Sequence, residues 1–281
     1  MRSNPSTPFY LLSICCLFTL YIHAQPAISR SAYRLMGSPQ PLLTDSALGG
    51  AALPVWFPVV GSAGQFRFGV VNRYGIGALT EVVGGVQLPA GLGAVRLDFS
   101  SLGDALYRAS ALQVGLSRKL AASWYIGADL GLMHVRVAGY GSRWTPRTSL
   151  AVAGAFDPRT WVGLLWENPQ ALIGSKGSIN YATPRIRLGW VRRISDRVDG
   201  LAGMDWERGS GPGTFLQLVY RPVRGWSFDL GWGRSPDQVC LGVQRLVLGG
   251  VMRTAFSQDP VLGGSFLCSY ARSWPAKKSS R

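Results

Sequence analysis

The run Trp226-Ser227-Phe228-Asp229-Leu230-Gly231-Trp232-Gly233 decides how this chain folds. Its even positions are large and apolar and its odd positions small or polar. A period of two belongs to a β-strand with two unlike faces. Beyond a turn signal at Ser235-Pro236-Asp237, Val239, Leu241 and Val243 alternate with Cys240, Gly242 and Gln244. A third run sets Leu246, Leu248, Met252 and Phe256 on one face, and a fourth adds Leu262, Phe266 and Tyr270. From Arg224 to Tyr270 one face is greasy throughout. In a water-soluble sandwich that face makes the core. In a transmembrane barrel it meets lipid, and the small polar face lines the interior.

Composition weighs on this choice. The 281 residues carry no compositional break, so we read one folded domain. Charged residues are only 15% of the chain and glycine fills 36 positions, both far from the averages of a soluble domain. A barrel wall explains both, because half of each strand faces lipid and glycine lets the sheet bend. Lys and Arg outnumber Asp and Glu by 29 to 14, a net charge of +15. Such an excess suits a polyanionic partner. With no basic helix and no aromatic-basic RNA motif, that partner is read as an anionic membrane surface rather than nucleic acid.

The chain opens with Arg2, an apolar run from Phe9 to Ile22, and Ala24 before Gln25. This pattern predicts a signal peptide over residues 1–24; its apolar run is too short to span a bilayer as a helix. Cys15 and Cys16 do not make a lipoprotein site, because Leu12-Ser13-Ile14 puts a bulky residue where a small one is needed. No later segment offers an uninterrupted apolar helix. An exported chain of this kind is either soluble outside the inner membrane or a barrel in an outer membrane.

Residues 25–61 lack clean alternation, with Trp56 and Phe57 between Pro54 and Pro58, and are expected to form an N-terminal arm or plug. The barrel itself is expected over residues 62–271, followed by a basic tail over 272–281 with Lys277, Lys278 and Arg281. Within it Phe66, Phe68 and Val70 alternate with Gln65, Arg67 and Gly69, and Val95, Leu97 and Phe99 with Arg96, Asp98 and Ser100. From Trp124 the apolar set is Ile126, Ala128, Leu130 and Leu132, then changes phase to Met133, Val135 and Val137. The phase change predicts a bulge, or a strand that outgrows the membrane into an external loop. Thr148 to Phe156 and Thr160 to Trp166 predict a hairpin turning at Asp157-Pro158, and Glu167 to Thr183 a long loop. The total is about fourteen strands of roughly ten residues, the length a tilted membrane strand needs. Trp124, Trp166, Trp206, Tyr220, Trp226, Trp232 and Tyr270 fall near strand ends, as an interfacial girdle would. The predicted fold is all-β: a transmembrane up-and-down antiparallel barrel.

Several segments resemble a known group. They are Leu97-Asp98-Phe99 with Ser101-Leu102-Gly103-Asp104, Ser117-Arg118-Lys119-Leu120 before Gly127-Ala128-Asp129, and Val162-Gly163 leading to Asn168-Pro169. Thr183-Pro184-Arg185-Ile186-Arg187-Leu188-Gly189 and Tyr220-Arg221-Pro222 continue the series. Together they resemble the PorV/PorQ outer-membrane proteins of Bacteroidetes, barrels similar to the fatty-acid transporter FadL. The chain departs from that group at Leu53-Pro54-Val55-Trp56-Phe57-Pro58, where an Asn-Pro-Ala segment is common. The resemblance implies an outer-membrane partner of a type IX protein secretion system; the alternative is a transporter or pore for small or hydrophobic solutes.

Chemistry is not indicated. The only histidine after the signal, His134, has no serine and orienting acid set beside it, and Cys240 and Cys268 should point to opposite faces, unable to pair with each other or build a metal site. No catalytic, cofactor-binding or metal residue is assigned. The candidate site is instead a lumen charge network of Arg67, Arg96, Asp98, Asp129, Arg185, Arg187, Asp205, Glu207 and Asp229. Arg185 and Arg187 should pair with Asp205 and Glu207 across a hairpin. A lumen so crossed is expected to be occluded; were it open, the excess of basic residues would favour anions. Asp229→Asn is expected to be tolerated and Leu230→Arg to block assembly. Expected partners are outer-membrane lipid, lipopolysaccharide, and secretion-system proteins or secreted cargo.

Overall fold

The computed structural model describes residues 63–90, 93–121, 124–157, 159–172, 184–207, 212–234 and 238–275. The expected signal and arm, residues 276–281 of the expected tail and the Ser235-Pro236-Asp237 turn lie outside the described residues, while 272–275 of that tail belong to the last strand. Fourteen strands follow one another: β1 Ala63–Asn72, β2 Thr80–Ala90, β3 Gly93–Gly103, β4 Tyr107–Lys119, β5 Trp124–Val137, β6 Gly141–Asp157 and β7 Thr160–Glu167. Then come β8 Arg185–Ser195, β9 Val198–Glu207, β10 Gly213–Tyr220, β11 Trp226–Arg234, β12 Gln238–Val247, β13 Gly250–Asp259 and β14 Gly263–Pro275. Each pairs antiparallel with its neighbours in sequence. β14 returns to β1 with Tyr270 opposite Phe68, closing the barrel. Closure leaves no sheet edge, which is what an all-strand chain needs where no water can satisfy unpaired backbone groups.

The alternation sorts the two faces as expected. On β11, Phe228, Leu230 and Trp232 are exposed on the outside, while Ser227, Asp229, Gly231 and Gly233 are buried inside. Phe66, Phe68, Leu97, Phe99, Leu112 and Leu132 continue the outer apolar belt on other strands. Cys240 is buried with the inner set and Cys268 sits on the outer one; both are free thiols.

Of three local expectations, one left open between a bulge and a strand that outgrows the membrane is decided for the latter, and two are corrected. The phase change after Leu132 is not a bulge, since β5 pairs without interruption from Trp124 to Val137 with both β4 and β6. Met133 and Val135 remain on the inner face, buried, and the outer face passes from Leu132 to His134 and Arg136. The change is one of composition: β5 and the long β6 climb past the apolar belt, so the outside becomes polar. Register shifts occur elsewhere, at Ala155/Asp157 in β6 and Arg193/Ser195 in β8. Second, Glu167 belongs to β7, paired with Arg185 and Ser149, rather than to the loop. Third, of the run Leu246, Leu248, Met252 and Phe256, only the last two lie on the outer face. Leu246 has the inner parity of Gln244 at the barrel rim, and Leu248 is in the turn with φ of 52°.

The two ends differ. The chain termini share an end with the short connections 91–92, 120–123, 158–159, 196–197, 221–225 and 248–249. The other end carries 73–79 and 168–184, and the tall β5–β6 hairpin. In outer-membrane barrels short turns face the periplasm and longer loops the outside. The end holding 73–79 and 168–184 is therefore taken as the external one below.

Candidate functional site: the inner wall

Inward side chains come from even positions on β3 and β12 and from odd positions on the other twelve strands, so the pleat alone decides which charges face the lumen. Arg67 pairs with Asp98, and Arg96 reaches Asp98 through Nε at 2.6 Å and Asp129 through Nη2 at 2.8 Å. Ser149 Oγ donates to the second Asp129 oxygen at 2.5 Å. The result is a chain of alternating sign spanning β1 to β6.

This chain depends on glycine. Arg67 and Asp98 stand on β1 and β3, both directly opposite Gly85 of the intervening β2; Arg96 and Asp129 stand on β3 and β5, both opposite Gly115 of β4. A Cβ on Gly85 would run into Asp98 Oδ1, and one on Gly115 into Asp129 Oδ1. Each glycine is a saddle over which an ion pair crosses one strand. The device recurs at Gly242 of β12, where a Cβ would meet the Asp229 carboxylate. Asp229 there accepts from Arg253 Nη2 of β13 at 2.7 Å and from Gln217 Nε2 of β10 at 3.0 Å.

On β8 the expected pairing holds in half. Arg185 pairs with Asp205 of β9, but Arg187 turns the other way to Glu167 of β7 at 2.7 Å. The side chain of Glu207 lies outside the described residues. Sequence reasoning missed Glu167 because Asn168-Pro169 looked like the start of a loop, and did not single out Arg253, although the phase of Met252 and Phe256 already puts it on the polar face. It also missed Arg73 with Glu81 at 2.6 Å and Arg221 with Asp199, which sit at strand ends where alternation is short. Among the described residues, seven arginines (67, 73, 96, 185, 187, 221, 253) meet seven acids (81, 98, 129, 167, 199, 205, 229). The charge of this inner network balances.

Between the ion pairs the wall carries two apolar stripes set among inward polar side chains such as Gln65, Gln87, Gln244, Ser257 and Ser269. Trp161, Val191, Leu201 and Val219 form a buried stripe across β7 to β10 near the terminal end, extended by Tyr125, whose ring stacks on Trp161 at 5.9 Å. A second stripe of Val71, Leu267, Ala255 and Cys240, with Phe215 against it, runs from β1 through β14 and β13 to β12. At the external mouth Tyr74 turns inward with φ of 56°, is 1% exposed, and donates its N–H to Ser265 Oγ at 3.1 Å. Among the described residues no group of three metal-ligating side chains occurs.

No protein-family model matches the sequence, and no curated protein matches it. Solved structures do. The Pseudomonas putida toluene transporter TodX is 10% identical with a TM-score of 0.53, the match covering 90% of this chain and 98% of that one. A TodX deltaS2S3 mutant, described as a monoaromatic hydrocarbon channel, gives 11% identity and a TM-score of 0.55, covering 86% of this chain and 97% of that one. A Pseudomonas aeruginosa FadL homologue gives 12% and 0.51, covering 76% and 89%. At such identities the likeness is one of fold alone, a closed fourteen-strand antiparallel β-barrel. That matches the FadL side of the sequence resemblance; none of these structures bears on PorV, PorQ or Bacteroidetes.

Proposed function

We propose that the protein is an outer-membrane transporter for small, uncharged hydrophobic solutes and not an enzyme. The observation that carries this is the inner wall: its seven ion-paired arginines are matched by seven acids, and two apolar stripes lie beside the ion pairs. A balanced wall holds no charged solute by net field, whereas apolar surface holds an apolar one. The fold shared with the toluene transporter TodX and the FadL homologue supports the same reading. The anion preference expected from overall composition gives way, because the basic excess lies outside this paired network. A role as a secretion-system partner rests on the sequence motifs alone.

The test is uptake into cells or proteoliposomes of three solutes of equal size: an apolar aromatic, a neutral sugar and an organic anion. Uptake of the aromatic alone, reduced by Val219→Asp in the apolar stripe, is the expected result. Equal rates for all three, or a preference for the anion, would refute the proposal.

A further inference from the structure

We propose that Arg108 and Arg136, on the outer face of β4 and β5 just above the apolar belt, form a binding site for the phosphate groups of lipopolysaccharide. The two arginines are direct cross-strand partners and both are exposed. Like charges placed opposite one another, about 5 Å apart at Cα, repel and destabilise a sheet unless an anion lies between them. Among the described residues neither makes an ion pair. Asp104 in the β3–β4 turn interacts with Arg108 across space. Its Oδ1, however, accepts the N–H groups of Leu106 at 2.8 Å and Tyr107 at 3.1 Å. One row nearer the membrane, His134 lies against Trp144 at 4.5 Å, and Ser101 and Ser110 share a hydrogen bond of 3.1 Å. Two guanidinium forks over a row of imidazole and hydroxyl groups are the donors that a phosphate monoester accepts from.

The height fits. On β4 the outward series runs Arg118, Leu116, Val114, Leu112, Ser110, Arg108. Ten residues at about 3.4 Å each, on a strand tilted by roughly 40°, rise about 25 Å, close to the ~25 Å apolar band of such barrels. Arg118 and Arg108 therefore stand at opposite faces of the band, with Arg108 and Arg136 at headgroup level on the external side. Lipopolysaccharide, rather than glycerophospholipid, is the phosphate-bearing lipid of that leaflet.

The site goes beyond the transport reading and does not depend on it. Full-length protein in detergent is titrated with purified lipid A carrying both phosphates, lipid A stripped of phosphate, phosphatidylglycerol and inorganic phosphate, with binding read by native mass spectrometry. Arg108→Gln with Arg136→Gln should weaken binding of phosphorylated lipid A by about tenfold or more while heat-modifiable mobility is retained. Arg245→Gln with Arg272→Gln, exposed at the terminal end, should leave it unchanged. If the glutamine pair fails to fold, Arg136→Lys alone should still reduce affinity, because lysine lacks the bidentate fork. Unchanged affinity in the folded arginine variants, an equal loss in the terminal-end pair, or equal binding of phosphatidylglycerol or inorganic phosphate overturns the proposal.

Discussion

Removing Arg96 tests the lumen network at its centre. Arg96 bridges Asp98 at 2.6 Å and Asp129 at 2.8 Å, and the three side chains are only 12 to 16% exposed. Deleting one member of a buried pair costs about 3 to 5 kcal/mol, since a charge is left without compensation. Here each carboxylate keeps one partner: Arg67 for Asp98 and Ser149 for Asp129. A retained charge-assisted hydrogen bond offsets roughly 1.5 to 3 kcal/mol, so Arg96→Met should cost about 3 kcal/mol. That is roughly a hundredfold in the folded-to-unfolded ratio. Adding Asp129→Asn should recover about half of the loss, because an amide needs no cation. The assay is reversible guanidinium unfolding into lipid vesicles, followed by tryptophan emission and gel mobility. Stability of Arg96→Met within about 0.5 kcal/mol of the parent, or a further loss on adding Asp129→Asn, refutes the network's role.

The glycine saddles make a second expectation: Gly115→Val should reduce stability, and much less so in an Asp129→Ala background, because the added side chain runs into the Asp129 carboxylate. Leu230→Arg on the lipid face should cost about 2 to 4 kcal/mol and hinder assembly. Asp229→Asn, which alternation alone would mark as tolerated, should also be destabilising, because Asp229 holds Arg253 and Gln217. Equal tolerance of both in a heat-modifiability assay would mean the faces are misassigned. Backbone N–H donation from Tyr107 and then Leu106 holds the Asp104 carboxyl below its ordinary range. The stabilisation is therefore present above the unfolded-state pKa of about 3.9 and lost as pH falls through the lower folded value. Hydrogen exchange at the Leu106 and Tyr107 amides should accelerate below about pH 4 and lose that dependence in Asp104→Asn. Planar-bilayer recordings of the intact protein should show no steady anion-selective current, contrary to what the net charge of +15 alone would suggest.

The fold was legible because one pleat repeats with the same consequence at every strand: Phe228, Leu230 and Trp232 outside, Ser227, Asp229 and Gly231 inside. Alternation assigns faces but not partners. It placed Arg187 on the inside without revealing that the diagonal to Glu167, rather than a residue of β9, would take its guanidinium. Strand ends were the blind spots, as Glu167, Asp199 and Arg221 show, because two or three residues of alternation cannot be told from a turn. The phase change at Met133 misled for a physical reason. Above the membrane the outer face meets water, so His134 and Arg136 go outside and Met133 and Val135 inside, inverting the pattern on a strand that never bends.

The same inversion explains where the protein's charge resides. Inside, low exposure makes an unmatched charge costly, so the described ion-paired arginines appear with their acids and over glycines that let them meet. Outside the belt a charge costs little, and there the exposed bases accumulate: Arg118, Lys119, Arg192, Arg197, Arg224, Arg245 and Arg272 toward the terminal end, Arg108 and Arg136 toward the other. Arg245 lies over the Trp226 ring at 4.8 Å, joining this charge to the aromatic girdle. The exposed bases thus act on the membrane faces, while the seven ion pairs of the inner wall balance among themselves. Net charge alone says little about what the lumen selects; the arginine and acid matched across each glycine saddle say much more.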